Sequence, residues 1–140
     1  MMRHAHAVYC DDIRHEDGNK ISLMGIYSGQ LGVPVFPCSL PKLCIVLSVS
    51  TPKDELFKTL SLTGSYDGAE IFKIEMGEDQ ISTIIGQSSK FADSRFYMVQ
   101  LMATLSPMHL EKPGKVALDL FLDGEKLHCA SLQIISADQV

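Results

Sequence analysis

Three Asp-Gly pairs, at 17–18, 67–68 and 123–124, each divide two runs in which apolar and polar residues alternate. Gly accepts the positive φ of a tight hairpin turn and Asp can bond its own backbone, so such a pair marks the reversal of a two-strand ribbon. The first hairpin joins a strand from about His4 to Ile13 to one from about Lys20 to Tyr27. The second pairs Leu56–Tyr66 with Ala69–Met76. The third is the clearest: Val116, Leu118, Leu120 and Leu122 alternate with Ala117, Asp119 and Phe121, then Asp123-Gly124 leads into Leu127–Ile135.

Between the hairpins, Leu43 to Ser50 reads as a buried strand and Phe96 to Leu105 as another. The segment from Ser28 to Pro41 carries two glycines and three prolines. Pro lacks the amide hydrogen that a central ladder needs, so this stretch reads as a sheet edge or a crossover. Residues 78–86 stay open between helix and strand: Ile81, Ile84 and Ile85 fit a helical stripe, but they are β-branched. The expectation is an all-β fold with at most one short helix, a two-layer antiparallel β-sandwich of about seven or eight strands. At 140 residues the chain suits a single domain, 1–140.

Composition narrows the function classes. The net charge is −5 and the twelve basic residues are scattered, with Lys53, Lys58, Lys112 and Lys115 the nearest approach to a basic site. Binding to a nucleic acid backbone is therefore not expected. The N-terminal stretch Met1 to Val8 has too short an apolar continuation for a signal peptide. No apolar run approaches the roughly 20 residues of a membrane helix, so a cytoplasmic protein is the expectation. Cysteines 10, 38, 44 and 129 include no Cys-x-x-Cys pair. They read as buried, reduced thiols, not as a metal framework.

The stretch Cys10-Asp11-Asp12-Ile13-Arg14-x-Glu16-x-Gly18-x-Lys20-x-Ser22-Leu23-x-Gly25-x-Tyr27, followed by Phe36-Pro37-x-x-Leu40-Pro41-Lys42-Leu43, resembles a family of small uncharacterised bacterial and phage proteins. Leu120-x-x-Asp123-Gly124-Glu125 fits the same resemblance. It covers roughly the first third of the chain and its end, and leaves Pro52 to Pro107 unmatched. It implies a compact β-rich domain, with no activity or catalytic residue to carry over.

The first hairpin concentrates charge. Asp11, Asp12, His15, Glu16 and Asp17 include the oxygen and imidazole ligands that divalent cations take. Adjacent strand residues point to opposite faces, which separates Asp11 from Asp12 and favours a solvated hairpin end paired with Arg14 and Lys20. His4 and His6 share a face but sit near the terminus, and His109 and His128 show no acidic or cysteine partner nearby in sequence. Pairing of Cys38 or Cys129 with one of these histidines would require convergence in the fold. The glycines 25, 29 and 32 precede Pro34 instead of a helix, so they read as bends and not as a phosphate loop. Met24, Met76, Met98, Met102 and Met108 read as core filling ahead of a binding surface.

The leading expectation is a non-enzymatic binding or assembly module, homo-oligomeric, without cofactor, metal or membrane partner. The apolar, Pro-rich residues Leu31, Val35, Phe36 and Leu40 would cover a neighbouring sheet or subunit. Through the resemblance to phage proteins, a small anionic ligand such as a nucleotide is the version with named positions: Arg14 and Lys20 first, then Asp12 and Glu16. The alternatives are a metal-dependent hydrolase using Asp11, Asp12, His15 or Glu16, and a structural subunit of a larger particle.

Overall fold

The computed structural model describes residues 3–88 and 95–139. Twelve strands follow in chain order: β1 His4–Glu16, β2 Lys20–Ile26, β3 Gln30–Val33, β4 Cys38–Leu40, β5 Leu43–Pro52, β6 Leu60–Tyr66, β7 Ala69–Met76, β8 Phe96–Leu105, β9 Met108–Leu110, β10 Gly114–Leu122, β11 Glu125–Leu127 and β12 Leu132–Ser136. Helix α1, Glu78–Ser88, lies between β7 and β8, and a 3-10 turn, Ala137–Gln139, follows β12. The strands form a first sheet in the order β2-β1-β5-β8, a second in the order β3-β12-β10-β6-β7 with β11 also on β10, and a small β4-β9 ladder.

The expected β fold is present, and all three Asp-Gly hairpins lie where the alternation puts them. Asp67 and Gly68, and likewise Asp123 and Gly124, both take positive φ, the mirror-image turn whose twist matches that of the strands. In the first hairpin the positive values fall one residue later, on Gly18 and Asn19, and Glu16 pairs with Lys20. The Asp123 carboxylate accepts the Lys58 and Thr59 amides at 2.9 and 3.0 Å, tying the third turn to the chain entering β6.

Three expectations are corrected. Among the described residues the strands number twelve, because β3, β4, β9 and β11 hold three or four residues each, too few to display a period. The sheets are not wholly antiparallel: after β2 the chain crosses to the second sheet, where β3 arrives parallel to β12. The expected Leu127–Ile135 strand is interrupted between β11 and β12, and its pairing with β10 slips by one residue there. The buried Tyr9 hydroxyl donates to the Ala130 carbonyl inside this interruption, at 2.7 Å, and so links the two sheets.

The open segment 78–86 resolves as helix. The Gln80 side chain reaches back to accept the Gly77 amide at 2.9 Å, and Glu78 and Asp79 sit in the first turn, where the helix dipole favours negative charge. Ile81 and Ile85, one turn apart, enter the core. That core joins Tyr9, Ile45, Leu47, Val49, Val99 and Leu101 of the first sheet to Leu62, Val116, Leu118, Leu120, Leu132 and Ile134 of the second. Leu31 is buried in it and Phe36 and Leu40 pack against it, so of the four apolar residues expected to cover a neighbour only Val35 stands exposed.

Candidate functional site

Strand alternation sends every second residue of the first sheet away from the core. The register places His4, His6, Val8 and Cys10 of β1, Cys44, Val46, Ser48 and Ser50 of β5, and Phe96, Met98, Gln100, Met102 and Thr104 of β8 on one outer face. Ile26 and Met24 of β2 extend it, opposite Cys10 and Asp12. Nothing at the β1, β5 and β8 positions up to Cys10 and Cys44 is Asp, Glu, Lys or Arg. The centre of the face is closed by its neighbours: Cys10, Cys44 and Val46 are at most 3% exposed, yet none belongs to the main core cluster. Around them Ile26 is 59% exposed and Met98 57%, with Met24 and Phe96 also exposed. Two of the methionines read as core filling therefore stand on the surface.

One end of this face is charged. Asp12, Arg14 and Glu16 alternate on β1 beyond Cys10, opposite Met24, Ser22 and Lys20. The four expected ligand positions, Asp12, Arg14, Glu16 and Lys20, thus share a face. Arg14 donates through Nε and Nη2 to the two Glu16 oxygens at 3.0 Å each, and Ser22 adds a third bond at 3.0 Å. The Arg14 bonds, with help from Ser22, hold the Glu16 carboxyl below the usual carboxylate range. Lys42 donates to Asp12 at 3.0 Å; that bond, then the Ile13 amide, lowers Asp12, and the same pairing raises Lys42. The guanidinium is therefore already bonded to Glu16, and Asp12 to Lys42.

Asp11 goes elsewhere, as the alternation requires. Its carboxylate accepts the Tyr27 hydroxyl and lies over Gly25, where a Cβ would fall 2.2 Å from an Asp11 oxygen. Gly25 also takes positive φ, so the position suits glycine on two counts. Burial, followed by this bond, pushes the Tyr27 phenol upward. Asp11, Gly25 and Tyr27 form one set, Asp12 and Lys42 a second, and Arg14, Glu16 and Ser22 a third. Much of the N-terminal motif is thereby accounted for as internal bonding.

The remaining sequence candidates disperse. Among the described residues no three His, Cys, Asp or Glu side chains converge as a metal site. His4 opens β1 and shares a cleft of about 740 Å³ with Arg3, Glu55, Glu125, Lys126 and His128. All four cysteines are free thiols, three of them buried; burial, then the neighbouring Cys44, raises the Cys10 thiol. His109 does have an acidic partner: its Nε2 lies 2.6 Å from Oε1 of Glu111, which sits in the bend just past β9. The His-x-Glu spacing carried that signal, since residues two apart are near enough along the chain for their side chains to meet.

The fold is a β domain of two main sheets, and the outer face of the first is uncharged over β1 to Cys10, β5 and β8, carries exposed apolar side chains at two corners and is bordered by paired charge. The chain belongs to the family of unknown function DUF6941, whose model matches residues 5–135 and so includes the middle that the motif resemblance leaves out. No curated protein and no solved structure matches it.

Proposed function

We propose that this domain is a binding and assembly module that self-associates through the outer face of its first sheet. The observation that carries the reading is the placement of exposed apolar side chains: Met24 and Ile26 stand at one corner of that face and Phe96 and Met98 at the opposite corner, with no Asp, Glu, Lys or Arg on the β1, β5 and β8 positions between them. An antiparallel sheet that ends in solvent normally turns polar residues outward, and large apolar side chains left exposed on such a face mark a candidate contact surface. A second copy suits the border of the face. Arg14, Lys20 and Lys42 stand with Asp12 and Glu16, so both signs occur on one patch, as the self-complementary surface of a two-fold dimer requires. The bonding of Arg14 to Glu16 supports assembly ahead of capture of a small anion, because an anionic ligand would have to displace Glu16.

Light scattering of the native chain over a rising concentration series tests the reading. A multimer that dissociates on dilution is expected; a strict monomer at the highest concentration contradicts self-association, including the case in which the monomer joins a larger heteromeric particle.

A further inference from the structure

A second cluster carries chemistry that assembly does not need. On the β4-β9 ladder Ser39 and His109 are directly opposite partners, so their side chains share a face. Ser39 Oγ lies 3.1 Å from His109 Nδ1, and His109 Nε2 lies 2.6 Å from Glu111 Oε1. Glu111 accepts only if Nε2 holds the ring proton, which leaves the Nδ1 lone pair facing the Ser39 hydroxyl. Nucleophile, base and a carboxylate that orients the base are thus in bonded sequence, the arrangement that activates a serine. His109 also borders an apolar cleft of about 350 Å³ formed with Tyr66, Ile71, Leu105 and Pro107. A cleft of that size admits a short acyl chain.

We propose that Ser39, His109 and Glu111 form an acyl-transfer site for small esters with an apolar acyl group. Ser39 Oγ attacks the ester carbonyl carbon while its proton passes to His109 Nδ1, giving a tetrahedral oxyanion. Collapse breaks the bond to the alkoxy oxygen, which takes that proton and leaves as the alcohol. Water then adds to the acyl-serine ester, His109 again carrying the proton, and the free acid departs with Ser39 restored. Ser39 and His109 act on the reacting atoms, and Glu111 is a positioning residue. The His109 and Glu111 side chains are 58% and 75% exposed, so their charges act through a high dielectric and turnover falls well below that of an enclosed triad. The site is separate from the assembly face, so either proposal can fail alone.

The test treats the full chain with a fluorophosphonate probe, maps the adduct by peptide mass spectrometry, and follows hydrolysis of p-nitrophenyl acetate and butyrate. An adduct on Ser39 and faster turnover of butyrate are expected. Ser39→Ala and His109→Gln should each lower turnover about 10²-fold or more, the lower end of what general-base assistance supplies. Glu111→Gln should reduce kcat about tenfold with KM unchanged, and Glu111→Asp should recover part of the loss. An adduct confined to other residues, or ester turnover undiminished in Ser39→Ala, overturns the proposal. Light scattering of Ser39→Ala, expected to match the parent chain, shows that the substitution leaves fold and assembly in place.

Discussion

The two sheets share one core but turn opposite surfaces outward. On the second sheet the register places Thr63 between Asp119 and Lys73, and Ser61 between Phe121 and Glu75. Ion pairs Lys126–Asp119 and Lys73–Glu75, at 3.2 Å each, add to its polar character. The outer face of the first sheet carries Val8, Cys10, Cys44, Val46, Met98 and Met102 together with His4, His6, Ser48, Ser50, Gln100 and Thr104, and no Asp, Glu, Lys or Arg at these positions. Core packing cannot explain that difference, because each sheet satisfies the core with its other face. Solvation explains the outer face of the second sheet; on the first, burial within the chain accounts for Cys10, Cys44 and Val46, and the exposed Met24, Ile26, Phe96 and Met98 are the side chains that the proposed self-association would cover.

The comparison can be sharpened within one strand. Leu47→Ala removes a side chain that faces the core and is 1% exposed, and should cost about 2–5 kcal/mol in denaturant unfolding. Val46→Ala, one residue away on the outer face, should cost only about 1.5 kcal/mol when measured on the monomer. Both side chains are buried, so the smaller loss expected at Val46 reflects the fewer carbons removed, and a loss at Val46 equal to that at Leu47 would contradict it. At the charged border, Gly25→Ala should cost about 1–3 kcal/mol, since alanine resists positive φ and its Cβ would displace the Asp11 carboxylate.

A smaller effect is expected in acid. Asp12 and Glu16 have folded-state pKa values below their unfolded ones, through Lys42 and Arg14 respectively. At Asp123 burial alone would raise the carboxyl, but the Lys58 and Thr59 amides together with Arg3 outweigh it and lower it. A depressed carboxyl stabilises the fold above its unfolded pKa, and that contribution disappears as pH falls through the folded value. Stability should therefore decline below about pH 4, the ordinary range for these groups, and Asp123→Asn should flatten the decline. Acid unfolding curves that superimpose for the two chains would remove Asp123 from the account. The smallest change should come from Ile26→Asp, which leaves monomer stability within about 0.5 kcal/mol because the side chain is exposed.

Much of this fold is legible in the alternation and in the Asp-Gly turns, because period two and positive φ are local properties of the chain. The helix at Glu78–Ser88 is half legible: its isoleucines fit both periods, and the decisive bond from Gly77 to Gln80 is only a spacing until the backbone turns. Strands of three residues have no period to show, which is why the β4-β9 ladder goes unseen. The candidate sites follow the same division. Asp12, Arg14 and Glu16 share a face by alternation alone, whereas the Lys42 contact spans thirty residues and depends on β5 lying beside β1. Glu111 could have been found beside His109 from spacing, but Ser39, seventy residues away, could not.

Sedimentation velocity on three chains tests the contrast between the outer faces most directly: the parent, Ile26→Asp/Met98→Asp on the first sheet, and Phe121→Asp on the second. The parent and Phe121→Asp should sediment as the same multimer, and the double variant as a folded monomer. One sedimentation coefficient for all three, or dissociation caused by Phe121→Asp alone, would contradict assignment of the contact surface to the first sheet.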